Sequence, residues 1–250
     1  MTQSVSCGEA LISLLESYDV DTVFGIPGVH TLDLYRGLAH SNIRHVQARN
    51  EQGAGFMADG YARLGGKPGV CVLISGPGVT NACTPMGQSF ADSIPVLMIS
   101  STTASYSLGK GWGCLHEVTD LEAVTRPLTA LSATAGSPDD LEELIGQAFS
   151  IFAAERPRPV HIAIPIDVLA QPVSTTWQRR VVPAPPAPAG SAIREAAALL
   201  QQAERPLIYA GGGAVNAAPT LTEIAERLDA AVITTTAGKG VVPDSHPLCV

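Results

Sequence analysis

The sequence predicts an α/β protein built on a doubly wound parallel sheet. Short apolar segments with strand character alternate with segments whose apolar residues recur at helical spacing, and the connections are short. The apolar segments show little polar alternation, as expected of parallel strands that are buried on both faces. A content of 24 glycines and 19 prolines with only 5% aromatic residues favours close-packed α/β layers. The 250 residues accommodate one full domain and part of another.

Most of this alternation lies in the first 170 residues. Ser6 and Glu9 match a capping box at the start of a helix. Asn50 is placed to cap another helix, which carries Glu51 in its first turn and ends at Gly65-Gly66. We predict further helices over 30–39, from the 75–78 turn to about residue 90, and over 139–154. We predict strands over 22–25, 43–48, 70–74, 95–100 and 160–164.

The chain changes character after residue 170. Residues 171–190 contain five prolines and are predicted to form a stiff, extended linker between a first domain, 1–170, and a second unit, 191–250. In the second unit we predict helices over 191–203 and 220–228 and strands over 205–210 and 231–236. Two strands and two helices do not easily bury a core, so this unit is expected to be an incomplete domain.

Charge and hydropathy disfavour several classes of function. The net charge is −8 and no basic block occurs, which disfavours nucleic-acid binding. Residues 1–20 do not match a signal peptide, and no apolar run approaches the roughly 18 residues of a membrane span. The five cysteines are scattered without a CxxC pair, as is typical of reduced thiols in a cytoplasmic protein.

Three predicted loops follow the carboxyl ends of strands, where ligands of parallel sheets bind. They comprise residues 27–30, 49–51 and 75–78. Glu51, in the middle loop, has two interpretations: a partner for the dipole of its helix, or a desolvated acid that exchanges a proton with a heterocyclic nitrogen. Gly53 and Gly55 favour the second, because they leave room for a flat ligand near the backbone.

Other motifs carry weaker signals. The 75–78 turn lacks the GxxxxGK[ST] pattern of a phosphate loop, and the 211–213 glycines form only a partial dinucleotide fingerprint. His116 follows the glycine-rich stretch 109–113, and His30 follows the first loop; each is either a surface residue or part of a site. His161 lies within an apolar strand and is expected to be structural. No group of residues has metal-ligand spacing, so no metal site is predicted.

Several segments nevertheless resemble a known family, in order and at the family's spacing. They are VFGIPG at 23–28, EQGA at 51–54, ADGYAR at 58–63, GPGVTN at 76–81 and DSIPV at 92–96. Residues 5–170 resemble the pyrimidine-binding domain of thiamine-diphosphate enzymes of the acetolactate synthase and 2-oxo-acid decarboxylase group. The remainder resembles the start of that family's Rossmann-like α/β central domain. The segments 27–31, 107–111 and 115–117 are most similar to 5-guanidino-2-oxopentanoate decarboxylases.

This resemblance implies a function and a set of site residues. Glu51 would be the catalytic acid that hydrogen-bonds the aminopyrimidine of thiamine diphosphate, so that the cofactor can attack a 2-oxo acid and release carbon dioxide. His30 would be a candidate proton shuttle, and His116 would lie near the substrate, where synthases of the family often have Gln. The residues that would contact the cofactor are Pro27, Gly28, Val29, Glu51, Ser75, Pro77 and Asn81.

The sequence departs from the family in two respects. Asn50 replaces the usual His before the acid, and the Gly-Asp-Gly motif that binds diphosphate and Mg²⁺ in the family does not occur. The resemblance therefore implies a site completed by a diphosphate-binding domain, within a homodimer or homotetramer or from a separate chain. It leaves open whether FAD binds, as in true acetolactate synthases. The alternative hypothesis is a non-catalytic binding or regulatory subunit that retains the fold.

Overall fold

The computed structural model describes residues 4–174 and 176–250. Its strands are β1 (Val5–Ser6), β2 (Thr22–Gly25), β3 (Arg44–Gln47), β4 (Gly69–Leu73), β5 (Val96–Thr102), β6 (Leu131–Thr134), β7 (Val160–Pro165), β8 (Pro172–Val173), β9 (Leu207–Ala210) and β10 (Ala231–Thr234). Its helices are α1 (Cys7–Ser17), α2 (Leu32–Ala39), α3 (Glu51–Gly65), α4 (Pro77–Asp92), α5 (Leu121–Thr125), α6 (Pro138–Ala154), α7 (Ile166–Leu169), α8 (Gly190–Gln201) and α9 (Ala218–Leu228).

The centre of the first unit is a six-stranded parallel sheet in the order β3-β2-β4-β5-β7-β6. Alternate side chains of its strands point to opposite faces, so each face buries its own apolar cluster. One cluster joins the sheet to α1, α2 and α6, and the other joins it to α3 and α4. The predicted doubly wound α/β fold is therefore confirmed.

Local sequence signals explain where the main helices begin and end. Ser6 and Glu9 form the expected capping box: the backbone N–H of Ser6 donates to Glu9 Oε2 at 2.8 Å, and that of Glu9 donates to Ser6 Oγ at 3.3 Å. Helix α3 ends at Gly66, whose φ of 64° is readily adopted by glycine. These signals act within a few residues, which is why the sequence located both termini.

Several parts of the first unit differ from the prediction, among them the short elements β1, α7 and β8, which were not predicted. The helix expected over 30–39 begins only at Leu32, after a 3₁₀ turn over Val29–Thr31 in which the Gly28 N–H donates to Thr31 Oγ1 at 3.0 Å. The side chain of Thr31 thus accepts the hydrogen bond of the Gly28 N–H just before the 3₁₀ turn, and the regular helix starts only after this turn. Strand β6 and the short helix α5 before it were not predicted, because β6 is a four-residue edge strand with only intermediate burial.

The first half of the proline-rich segment contacts the first unit. Strand β8 pairs antiparallel with β1, and Trp177 is buried in the cluster that contains α1 and α6. The backbone N–H of Arg180 donates to the Tyr18 hydroxyl at 2.9 Å. By its contacts the chain divides into two units, Met1–Pro185 and Pro186–Val250.

The second unit is small. Its strands β9 and β10 are parallel, and together with α9 they enclose a core of five buried residues: Ala210, Ala225, Val232, Val241 and Val242. Helix α8 has no buried residue. Among residues 4–174 and 176–250, none of the helices combines the length and apolar character needed to cross a bilayer. The five cysteines are free thiols.

Candidate functional site

The order of the strands creates a crevice at one edge of the sheet. The chain leaves β2 to form β3 on one side and later returns to form β4 on the other side of β2. Helix α2, which joins β2 to β3, packs on one face, whereas α3, which joins β3 to β4, packs on the opposite face. Such a reversal opens a crevice beyond the carboxyl ends of the strands. The three loops singled out in the sequence lie at these ends.

Glu51 is the first residue of α3. Asn50 precedes it in extended conformation, and its side-chain oxygen accepts a hydrogen bond from the Gln52 N–H at 2.8 Å. This cap fixes the start of the helix and therefore the position of the acid. The side-chain amide of Asn81, on α4, donates to Glu51 Oε2 at 2.9 Å. The acid is half-buried and is held by a neutral partner.

Small residues determine how closely α3 and α4 approach each other. Gly55 lies four residues after Glu51, and Pro85 lies four residues after Asn81, so each is one turn further along its helix. A Cβ atom at Gly55 would overlap the ring of Pro85. The interpretation that Gly55 leaves room for a ligand is therefore wrong, because its missing side chain allows the helices to pack. Gly53, by contrast, faces open space.

Ile74 connects the loops after β2 and β4, and sequence reasoning did not single it out. A Cβ atom at Gly28 would overlap Ile74 Cδ1. One at Gly78 would lie 2.7 Å from Ile74 Cγ2 and 3.6 Å from Glu51 Cγ. Gly28 and Gly78 thus pack directly against Ile74, whose apolar side chain is half-buried beside the acid. The signal in the sequence was a large aliphatic residue between a buried strand and the turn.

The remaining candidate cofactor contacts differ in exposure. Pro27, Val29 and Pro77 are exposed, with Val29 at 71%. Ser75 is buried at 1%, and its hydroxyl lies 2.7 Å from Nδ1 of His30. Its backbone N–H donates to Ser101 Oγ at 3.2 Å. The Ser75 side chain therefore contacts His30.

His30 and His116, predicted from separate loops, come together. Their rings are 5.8 Å apart between centroids and nearly perpendicular, at 89°. The pKa of His30 is lowered, first by burial and second by the neighbouring His116. His30 is therefore predominantly neutral at neutral pH. His161 lies elsewhere, in the core between Ser100 and Thr125, which agrees with its predicted structural role.

The crevice fits the pyrimidine half of a heteroaromatic cofactor. It offers a carboxylate that can share a proton with a ring nitrogen and, beside it, the half-buried apolar side chain of Ile74. Across residues 4–174 and 176–250, three or more His, Cys, Asp or Glu side chains do not gather as metal ligands. The described residues therefore match the ring end of such a cofactor and provide no cluster for a metal ion.

Comparison with known proteins identifies the family. Residues 5–123 match the model of the thiamine pyrophosphate enzyme N-terminal TPP binding domain. Residues 193–250 match the model of the central domain of the same enzymes. This chain belongs to the thiamine pyrophosphate enzymes. The N-terminal match includes every candidate site residue, from Pro27 to His116, and thus the whole crevice.

The chain is similar over almost its whole length to several members of this family. It is 58% identical over 248 residues to the probable 2-ketoarginine decarboxylase of Pseudomonas aeruginosa, covering 98% of this chain and 44% of that protein. It is 38% identical over 251 residues to the acetolactate synthase large subunit of Mycobacterium tuberculosis, covering 98% and 40%. It is 37% identical over 243 residues to the acetolactate synthase isozyme 1 large subunit of Escherichia coli, covering 96% and 43%. This thiamine pyrophosphate enzyme sequence thus spans less than half the length of these curated relatives.

Proposed function

We propose that this chain is the pyrimidine-binding portion of a thiamine-diphosphate-dependent 2-oxo-acid decarboxylase or carboligase. The observation that carries the proposal is the pairing of Glu51 with Asn81 at the crevice between β2, β3 and β4. A carboxylate whose partner is a neutral amide is suited to exchange a proton with a ring nitrogen. The matched family and the named activities of the relatives support the same conclusion.

The residues of the crevice have distinct roles in this proposal. Asn81 engages Oε2 of Glu51, which leaves Oε1 as the oxygen that would hold a proton at a ring nitrogen of the aminopyrimidine. Ile74 would support the ring, and Pro27, Gly28, Val29 and Pro77 would border it. When bound, thiamine diphosphate supplies the nucleophilic carbon that attacks the 2-oxo acid and accepts the electron pair left by carbon dioxide. The protein's contribution is to position the ring and to control one proton.

His30 and His116 are the proposed proton-transfer groups near the substrate. Ser75 occupies Nδ1 of His30, so the other ring nitrogen, Nε2, is left for exchange. Because the His30 ring is predominantly neutral at neutral pH, it can accept a proton as well as pass one on. His116, whose ring adjoins that of His30, is the partner with which such a proton would be shared.

Binding of the diphosphate group and of Mg²⁺ requires residues beyond those of the crevice. The diphosphate group and Mg²⁺ would be held by a further domain carrying the family's Gly-Asp-Gly motif, which this sequence lacks. That domain would complete the site within a homodimer or homotetramer, or would be carried by a separate chain. The enzyme would act in the cytoplasm, and FAD binding would depend on a complete central domain.

The sequence identities to the named relatives favour one candidate reaction over the other. Identity is 58% to a relative named as a 2-ketoarginine decarboxylase and 38% or less to the two acetolactate synthases above. 2-Ketoarginine is 5-guanidino-2-oxopentanoate, so decarboxylation of this 2-oxo acid to the aldehyde one carbon shorter is the first candidate. Carboligation of two 2-oxo acids is the second, supported by the synthases.

A substrate screen tests the proposal. The chain is assembled with a diphosphate-binding domain, and 2-ketoarginine, pyruvate and 2-oxobutanoate are offered with and without thiamine diphosphate. We expect cofactor-dependent release of carbon dioxide, with an aldehyde from 2-ketoarginine as second product. An acetohydroxy acid from pyruvate would select the carboligase instead. Absence of carbon dioxide release from every 2-oxo acid would refute the enzymatic proposal and favour a non-catalytic binding subunit.

A further inference from the structure

The loop between β5 and α5 carries His116 in an unusual backbone conformation. Gly109, Gly111 and Gly113 have φ values of 69°, 65° and 73°, and His116 has a φ of 60°. Glycine adopts these values freely, but a histidine does so at an energetic cost. The surroundings of His116 must therefore hold it in place.

Glu117, the residue after His116, closes this loop on itself. Its Oε1 accepts a hydrogen bond from the Gly111 N–H at 2.9 Å, and its Oε2 accepts one from the Cys114 N–H at 2.9 Å. The Glu117 N–H in turn donates to the Cys114 carbonyl at 3.0 Å. Desolvation raises the pKa of the Glu117 carboxyl, but the backbone N–H groups outweigh it and the net pKa is lowered. The ionised carboxylate is thus the form that binds these N–H groups.

The position of His116 is also limited from the opposite side. The carbonyl of His116 lies so close to Gly76 that a Cβ atom at Gly76 would overlap it. Glu117 and Gly76 together place the His116 ring against His30. An open cleft of about 520 Å³ adjoins these groups, lined by Pro77, Gly111, Gly113, Cys114, His116, Glu117 and Thr119.

We propose that Glu117 is a positioning residue that folds the 109–117 loop and thereby holds the His116 imidazole against His30 at the edge of the substrate cleft. Its carboxylate does not act on the substrate, because both of its oxygens are engaged by backbone N–H groups. The consequence for turnover rests on the proposed function, whereas the fixation of the loop does not. The 2-oxo acid would bind beside His30 and His116, whose imidazole rings are already positioned against each other.

Tryptic cleavage tests the fixation without requiring turnover. Lys110 is exposed, and the N–H of the next residue, Gly111, is bonded to Glu117. We expect Glu117→Ala to accelerate cleavage after Lys110 at least about tenfold, since hydrogen bonds to a charged group are lost. Glu117→Gln should accelerate this cleavage to a smaller extent. Glu122→Gln, on the neighbouring α5, is the matched control and should cleave like the unaltered protein. Equal cleavage in all variants would overturn the proposal.

Steady-state kinetics of the assembled enzyme separate positioning from a general structural role. We expect Glu117→Gln to raise KM for the 2-oxo acid about tenfold while the affinity for thiamine diphosphate stays unchanged. In a His116→Ala background, Glu117→Gln should have little further effect on KM, because Glu117 acts through His116. Independent effects that multiply would contradict the proposal. An unaltered assembly without any turnover would refute the proposed function, and the cleavage rates would still decide the role of Glu117 in the loop.

Discussion

Asn81 donates a hydrogen bond of 2.9 Å to Oε2 of Glu51 and so links the first turn of α3 to the second turn of α4. The acid and its partner lie on the helices that follow two different strands, β3 and β4, on opposite sides of β2. Neither residue would be placed by its own helix alone. The geometry of the acid therefore depends on how the two helices pack.

Glu51→Gln should reduce cofactor-dependent turnover of the assembled enzyme by on the order of 10²- to 10⁴-fold, because the amide keeps the shape but cannot transfer the proton. Far-ultraviolet circular dichroism and the unfolding midpoint should remain unchanged, since Glu51 is only half-buried. Glu155→Gln, at the exposed end of α6, provides the control for loss of a negative charge. Full activity in Glu51→Gln would show that the role assigned to this acid is wrong.

Asn81→Ala should lower kcat/KM about tenfold, because Glu51 loses a hydrogen bond that restricts its orientation. Asn81→Asp should be more harmful and should move the acidic limb of the pH–rate profile to higher pH, because two adjacent carboxylates do not both ionise readily. The pH dependence of kcat/KM for the two variants measures this difference. An unchanged profile in Asn81→Asp would argue against contact between residues 51 and 81 in the active enzyme.

Gly78→Ala should decrease activity by displacing Ile74 and, through it, the surface beside Glu51. The added Cβ atom would lie 2.7 Å from Ile74 Cγ2, which is closer than such contacts allow. The double variant Gly78→Ala/Ile74→Leu should regain part of the lost activity, because leucine is not branched at Cβ and so lacks the Cγ2 atom that the added methyl group overlaps. Gly53→Ala, where a Cβ atom has open space, is the control for adding a methyl group to a helix. Failure of the double variant to recover would indicate that Ile74 is not the obstructing group.

Asp59→Asn should destabilise the first unit by about 2 kcal/mol. Asp59 is buried, and its carboxylate accepts from Arg63 Nε at 2.7 Å and from Ser89 Oγ at 3.1 Å. Loss of one partner of a buried pair costs about 3–5 kcal/mol, and we reduce this because Arg63 is 37% exposed and also pairs with Asp92. Urea unfolding measures the change. The exposed pair of Glu122 with Arg126 serves as comparison, and Glu122→Gln should cost less than about 1 kcal/mol.

Acid should destabilise the fold through His161. Burial lowers the pKa of His161 from the ordinary 6.5 to about 3, so the folded protein keeps the ring neutral while the unfolded chain binds a proton below about pH 6.5. The free energy of unfolding should therefore fall as the pH decreases from about 6.5 toward 3, by up to about 1.4 kcal/mol per pH unit. Urea midpoints at about pH 7.5 and about pH 5 measure the slope. A His161→Gln variant with an equal slope would show that another group is responsible.

Sequence reasoning located most of the sheet and the three loops because their signals are local. The apolar segments, the capping box at Ser6 and the Asn50 cap each act within a few residues. The strand β6 was missed because its four residues form a half-buried edge. Gly55 was misinterpreted because its neighbour, Pro85, lies 30 positions further along the chain and only the packing of two helices brings them together.

In the crevice, too, the sequence revealed features of single residues and their loops but not contacts between residues far apart in the chain. The sequence indicated that Glu51, His30 and His116 were candidates, because their chemistry and their loops are visible in it. It could not indicate that Ser75 contacts His30, which is 45 residues away, or that Glu117 binds the loop backbone. Such contacts depend on side-chain orientation, which is fixed only after the strands have aligned. The roles of these residues remain predictions for the experiments above.

The contact between Gly55 and Pro85 has an evolutionary consequence. It lies one helical turn, about 5.4 Å, beyond the pair of Glu51 and Asn81. A single methyl group at position 55 would widen the gap between the helices and so lengthen or break the bond that orients the acid. Mutations that change the orientation of this acid can therefore arise at a glycine with no chemistry of its own, and a search confined to the lining of the crevice would overlook them.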